Sequence, residues 1–539
     1  MKKTLMAAVA VVAVLGVFCL VFSKIDFNIS TEVRTYQHEE NALADPSIGS
    51  VTIAEDGTVD PQSFQTHLPL VIIDTNGQEI PYIYEYVFTE ELSERYYKDE
   101  SVTNPWIEMN ISLIDNDSYI NRITDEAAVE MPGLIKIRGV TSREAAKKQY
   151  GIKLLDENGL EAEVPLLDME ADEDWVLSNS ILDSSGIRNY MAYNIGGQIF
   201  PYTPEAKFCE VIMKDGDVYH YRGLYLLTET VKKAEGRVNI ATFDPDEDPM
   251  SYIICRDRSD ATSTTLSTWA SEQQLCYGWF TFKYPKEELL TDDVVQRIEE
   301  QISEIEQVIY SDDYETFMTY SQYIDVESFV DYFVVNEFFM NYDAGNNSTY
   351  YYQDYAHKFS MGPLWDYDNC WDNYIGSVGD ADYVPFVLRP WFEKLVQDPQ
   401  FVNKICERYA ELRKTIFSTE YTESFIDETV AYLGNAMARD RSRWRTVYEE
   451  RYMLDIVEEG QGYVIDRNRT TYEEEIVRLK DMIRSHGEWL DEYMEEFLSA
   501  YVVEGIDTTR MVRSSIAAVL FVFCFIVMVV LINRKSKGL

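Results

Sequence analysis

Basic residues are scarce in this chain of 539: 47 Lys and Arg stand against 94 Asp and Glu, giving a net charge of -47. A surface of that sign repels nucleic acid and anionic lipid headgroups, which excludes nucleic-acid binding as a leading reading, and it attracts cations and basic proteins. Cysteine is sparse too. Of the 7 present, Cys19 and Cys524 lie in apolar runs, leaving Cys209, Cys255, Cys276, Cys370 and Cys406. No Cys-x-x-Cys spacing occurs and the remainder is odd, so thiolate zinc ligation and a disulfide scaffold are both unsupported. The 5 histidines, among them His220, His357 and His486, form no metal spacing. No serine stands in a Gly-x-Ser-x-Gly setting, so a hydrolase triad is not indicated. Internal repeats and low-complexity tracts are absent.

Long hydrophobic runs are limited to the two ends. The first covers about 5–22 behind Lys2 and Lys3, and the second about 516–532 ahead of Arg534, Lys535 and Lys537. Each is near the length of a membrane-crossing helix and carries no charge. The basic flanks predict both termini in the cytoplasm and the large intervening domain outside, anchored to the cell membrane. A cleavable signal peptide would want small residues where the first run ends in Phe18-Cys19-Leu20-Val21-Phe22, which favours an uncleaved anchor. The expected divisions are an anchor over 1–23, a stalk over 24–66, a main domain over 67–415, a helical region over 416–509 and a second transmembrane helix over 514–533.

The main domain reads as α+β, strand-rich in its first half and helical in its second. Short apolar runs at 68–73, 107–114, 134–137 and 150–155 are broken by turn signals such as Asn76-Gly77 and Asn158-Gly159, and predict strands. Runs at 208–213 and 218–227 flank Lys214-Asp215-Gly216-Asp217, the strongest hairpin signal in the chain. Helical spacing of apolar residues predicts helices over about 185–195, 294–308, 326–340, 401–417 and 425–448. A last helix is announced by Thr471 and Glu474, a capping-box pair, with Ile476, Leu479, Ile483, Leu490, Met494 and Phe497 on one face.

Chemistry concentrates at 336–373, NEFFMNYDAGNNSTYYYQDYAHKFSMGPLWDYDNCWDN. Asp343 ends an apolar helical stretch, two short strands follow, and Asp366 and Asp368 form an Asp-x-Asp element after Trp365. Carboxylates placed where regular structure gives way to a turn can reach a metal ion or a substrate hydroxyl. Solvated loop or cap residues are the plainer alternative for the same pattern.

Three further blocks accompany that segment: IRGVTSR at 137–143 with KKQYGIK at 147–153; LDM at 167–169 through DWVL at 174–177 to IRNY at 187–190; and GLYLLTE at 223–229. In this order and spacing the four blocks, from about Leu68 to about Arg413, resemble the CotH kinase family, atypical protein kinases associated with spore coats. The resemblance implies a two-lobed kinase-like fold, which the two membrane helices read from the apolar ends would flank. It also implies transfer of the ATP γ-phosphoryl group, with Mg2+ or Mn2+, to Ser or Thr of secreted, coat or envelope proteins, for which the acidic surface suggests basic substrates.

Such transfer rests on cations around the phosphates and on a base that orients the hydroxyl. By the resemblance Asp343 is the base and Asp366 the metal ligand, with Asp368 sharing that ion or holding a second. Ordinary kinases place an Asn five positions after the base; here that position is Ser348, and Asn347 stands one earlier, so both enter the expected metal shell. Arg138, Lys148 and Lys153 are the phosphate-binding candidates, lying in strand-turn-strand blocks whose backbone can cradle an anion. Glu229 is expected to order a lysine or to line the nucleotide pocket. Arg188 is read as a structural partner of Asp183. Two alternatives stand beside this reading: a surface binding or coat-assembly protein with the same fold and weak or no turnover, and, from Asp-x-Asp alone, a glycosyltransferase.

Overall fold

The computed structural model describes residues 36–449 and 471–501, apart from 82–83, 90–91, 99–103, 140–144, 181–182, 259–263, 277, 374–380 and 383–385. Both apolar end segments lie outside the described residues. Among the described residues no helix is long and apolar enough to cross a membrane.

The chain is α+β, with strands gathered in the N-terminal half and helices in the C-terminal half. One sheet contains β1 (Thr58–Val59), β2 (Leu70–Asp74), β3 (Ile107–Ile114), β4 (Val129–Arg138), β5 (Gln149–Leu154), β6 (Asp174–Ser178), β7 (Ala206–Asp215) and β8 (Val218–Glu229). Its order is β1-β8-β6-β5-β4-β3-β2-β7, and β7 also pairs with β8, so seven strands close on themselves as a barrel, with the short β1 paired to the start of β8 on the edge that β6 takes farther along. Only β2 and β7 run parallel. The pleat sends alternate residues inward. Val71 and Ile73, Met109 and Ile111, Ile152 and Leu154, Trp175 and Leu177, Cys209 and Val211, and Tyr225 and Leu227 fill the interior. On β4, Ile135 and Ile137 take that side, while Lys136 lies over Trp106 and Arg138 over Trp365 on the other. The β7–β8 hairpin turns at Gly216 and Asp217, as the Asp-Gly signal predicts, with Asp215 opposite Val218.

The helical half packs on the barrel's outer face. Principal helices are α1 (Arg188–Gly196), α2 (Asp292–Ile309), α3 (Val326–Phe338), α4 (Pro399–Arg413), α5 (Thr419–Arg443) and α6 (Tyr472–Tyr501). Their starts follow local rules: Thr291, Asp398 and Ser418 cap α2, α4 and α5. Thr471 and Glu474 bond each other's backbone amides at 3.2 and 3.0 Å, the predicted capping box. The six apolar residues expected on one face of α6 are all buried. A second sheet, β10-β11-β9-β12-β13, comprises β9 (Tyr252–Asp257), β10 (Thr265–Leu266), β11 (Trp279–Tyr284), β12 (Thr349–Gln353) and β13 (Ser360–Met361). Helix α3, apolar on nearly all sides, runs through the middle of the largest core cluster, which continues without a break into α5 and α6.

A buried ion pair joins barrel and helices. Lys147 Nζ lies 2.8 Å from Asp440 Oδ1 on α5, with both side chains 1% exposed. Gly223 on β8 permits this approach: a Cβ there would sit 2.2 Å from Asp440 Oδ1, and its φ of +122° disfavours any other residue. Segment 36–66 differs from the expected stalk. Gln37 donates to the Phe208 carbonyl at 3.0 Å, β1 pairs with β8, and Ile53 and Phe64 are buried against the barrel. Two apolar residues so far apart show no period, yet each finds a groove left by the barrel exterior.

Glu337 on α3 is fully buried and accepts from the amides of Phe386 and Val387 at 2.8 and 2.9 Å, while its Oε2 has no hydrogen-bond partner among the described residues. Burial pushes this carboxyl up to about 8, against the pull of those amides and Arg389. A folded-state value above the unfolded one means that the native protein holds the extra proton. Stability is therefore greatest below the unfolded value of 4.5 and falls as pH rises through about 8. Glu337→Gln is expected to flatten that fall by several kcal/mol, at about 1.4 kcal/mol per unit of displacement. Denaturant unfolding of both proteins at pH 5 and pH 8.5 checks it; parallel pH dependences would refute it.

Candidate functional site

Where α3 ends, its last turn gives way to a loop wrapped on itself. Asn341 Oδ1 accepts from the amides of Asp343 and Ala344 at 3.2 and 3.4 Å, and the Asp343 carbonyl accepts from the amides of Asn346 and Asn347 at 3.0 and 2.8 Å. Gly345 N donates to Thr349 Oγ1 at 2.7 Å, which ties the loop to the start of β12. The chain returns along β13 and reaches Asp366. There α1 holds it: Tyr193 Oη accepts from Asp366 N at 3.3 Å and Asn189 Oδ1 from Tyr367 N at 2.7 Å. Ser348 and Asp366 both take left-handed φ, +48° and +65°. Such conformations disfavour L side chains, and they persist at sites where the surroundings impose them.

These turns bring the carboxylates together. Asp343 receives the Asn347 amide on Oδ1 at 3.3 Å and the Asn369 amide on Oδ2. Asp366 Oδ2 accepts from the Ser348 hydroxyl at 3.1 Å, and the Asp366 and Asp368 carboxyls lie in each other's field. Burial pushes Asp366 up to about 6, reinforced by the charge of Asp343 and opposed by Ser348 and Arg138. Asp368 is pushed well above the carboxylate range, by burial first and by Asp366 next. Asp257, at the end of β9, is raised by burial and by Asp343 against the pull of Arg258 and Lys283.

From the barrel, Arg138 reaches the same place with its guanidinium 5.5 Å from the Trp365 ring centre; burial lowers its pKa while Tyr350 and Asp366 raise it. The crowded carboxylates, with the buried Asn369 Oδ1 that has no hydrogen-bond partner among the described residues, make an all-oxygen donor set. That chemistry suits a hard divalent cation.

Six of the residues singled out from the sequence therefore meet here: Asp343, Asp366, Asp368, Asn347, Ser348 and Arg138. Lys153 instead pairs with Glu161 and Asp174 at 2.8 and 3.1 Å, farther along the barrel's outer face. Glu229 is buried at the end of β8, where it accepts from Glu205 N at 2.8 Å in the field of Arg237. Lys148 is half-buried beside the Lys147–Asp440 pair, and its carbonyl accepts from Tyr225 Oη at 2.9 Å. Residues 140–144 of the expected phosphate-cradling turn lie outside the described residues. Asp257 and Asn369 were not anticipated. Asn369 was within reach, since it directly follows Asp-Tyr-Asp, but nothing local to Asp257 announces its role.

Arg188 pairs with Asp183 as expected, and also with Asp372 at 3.1 Å and Glu475 at 3.3 Å. A second acidic group, Asp172, Glu173 and Asp174, has the spacing of a metal site. The Lys232 ammonium fills it, 3.1, 2.6 and 2.9 Å from the three carboxylates.

No curated protein matches the chain. The sequence model of the family described as CotH kinase protein matches residues 135–490, which take in the end of β4 with Arg138, every residue of the carboxylate site, and most of α6. With two thirds of its length covered, including the loop after α3 and the Asp-x-Asp turn, the chain belongs to the CotH kinase family.

Proposed function

We propose that this protein is a metal-dependent CotH-like protein kinase that transfers the γ-phosphoryl group of ATP to a Ser or Thr hydroxyl of another protein. The observation that carries the reading is the convergence of Asp343, Asp366 and Asp368 from separate turns with Arg138 from the barrel. A two-lobed arrangement follows from it, with the barrel contributing the cation and the helical half the carboxylates. Family membership implies ATP and a divalent metal in general; the oxygen-only donor set favours Mg2+ or Mn2+.

Asp366 and Asp368 would hold the metal, which when bound supplies positive charge to the phosphates. Arg138 adds a fixed cation on the barrel side. Asp343, oriented by the amides of Asn347 and Asn369, accepts the hydroxyl proton as the new oxygen–phosphorus bond forms and the bond to the ADP oxygen breaks. Two sequence features extend the proposal: the apolar ends suggest a membrane-anchored protein with its catalytic domain outside the cytoplasm, and the net charge of -47 suggests basic secreted, coat or envelope substrates.

Thermal unfolding with ATP and Mn2+ separately and together tests the site. Stabilisation is expected only with both, about 2.7 kcal/mol when the ligand is at 100 times its Kd, and Asp366→Ala should abolish it. Indifference of the native protein to both ligands would leave a binding or coat-assembly role without turnover.

A further inference from the structure

Asn369 is 9% exposed, and its two amide atoms have unlike surroundings. Nδ2 donates to Asp343 Oδ2, which fixes the orientation of the group, because the reverse would set an oxygen against a carboxylate. Oδ1 is then buried with no hydrogen-bond partner among the described residues. Leaving a carbonyl oxygen so costs about 1–3 kcal/mol, and a native structure that tolerates the cost at a functional site points to a missing partner such as an ion.

The position that carries an Asn in ordinary kinases, five after the base, is Ser348 here, and its hydroxyl is engaged with Asp366 at 3.1 Å. A neutral hydroxyl is a poorer ligand to a hard cation than an amide oxygen. The loop after α3 thus lacks an amide at that position, while the turn after Asp366 has one with its oxygen unmatched.

We propose that Asn369 supplies the amide oxygen of the metal shell that Ser348 does not, so that this ligand comes from the turn following Asp366 instead of the loop following Asp343. The proposal rests on the metal site of the kinase reading. It accounts for both roles of the side chain: one atom orients the base and the other binds the ion.

A double-mutant cycle read by Mn2+ binding tests it, with free Mn2+ followed by electron paramagnetic resonance on the full chain and a non-hydrolysable ATP analogue present. Asn369→Ala should weaken Mn2+ binding about ten-fold or more in the native background. In a Ser348→Asn background the loss should shrink to about three-fold or less, since the introduced amide takes over. Asn suits position 348, whose φ is +48°, because its side chain tolerates the left-handed region. Equal losses in the two backgrounds, the result of a merely structural role, overturn the proposal, as does no loss in either.

Native protein that binds no Mn2+ overturns the kinase reading as well, whereas native binding with a flat cycle removes only the role of Asn369. Should Asn369→Ala fail to fold, Asn369→Asp keeps an oxygen for the ion while replacing the donor to Asp343 with a charged oxygen, a repulsion that a bound cation relieves. It should hold Mn2+ at least as tightly as the native protein, and a ten-fold weakening would overturn the assignment.

Discussion

Replacing Asp343 with Ala is expected to lower phosphoryl transfer to a basic Ser-rich peptide by about 10²- to 10⁴-fold, the contribution typical of a positioned general base. Stabilisation by ATP with Mn2+ should survive the change. The two effects separate because the carboxylates have different partners. Asp343 is gripped by the amides of Asn347 and Asn369, whereas Asp366 accepts from the Ser348 hydroxyl and shares its buried surroundings and field with Asp368. Removing Asp343 also relieves the charge that helps to raise Asp366, so the metal pair should ionise more readily in the variant. Transfer is measured with labelled ATP and Mn2+, and the retained site by thermal shift. Equal turnover in the two proteins would refute the assignment of the base, and joint loss of turnover and binding would make Asp343 part of the metal site.

Arg188→Met should be the most damaging single change to stability, at about 3–5 kcal/mol. The guanidinium is fully buried and shared among Asp183, Asp372 and Glu475. Glu475 and Asp372 are also reached by Arg478, at the edge of the cluster. Without Arg188, Asp183 loses its charged partner in a medium where an unpaired carboxylate is costly. Glu475, already raised by burial, would take up a proton. The loss should therefore be largest near neutral pH and smaller in mild acid, where the carboxylates are neutralised. Urea denaturation at pH 7 and pH 5 measures both; a loss below 1 kcal/mol at pH 7 would show that Arg478 alone holds the cluster. Because Asp372 lies four residues after Asp368 and Glu475 opens α6, the same change should loosen the turn that carries the metal ligands.

Local physics made much of this molecule readable in advance. The run at 107–114 is a strand over Ile107–Ile114, the Asp-Gly turn closes the β7–β8 hairpin, and the period of Ile298, Ile302, Ile305 and Ile309 is that of α2. Segment 36–66 was not readable, since Ile53 and Phe64 have no period and their partners lie on a surface formed by distant strands. Lys153 looked as suitable for phosphate as Arg138, and what distinguishes it is its pairing with Glu161 and with the neighbouring strand's Asp174, opposite it in register.

The sequence by itself determined which segments become helix, strand and turn, and which acidic residues sit at element ends, because side-chain period, caps and turn chemistry act over a few residues. Tertiary structure alone decided that β2 lies parallel to β7 and closes the barrel. It also decided that Asp257 joins the site, that Lys232 occupies the second acidic group, and that one oxygen of Asn369 is left without a partner. Each of these depends on groups far apart in the chain sharing one desolvated volume, where the cost of an unmatched charge or dipole is set by the surroundings and not by the neighbours in sequence.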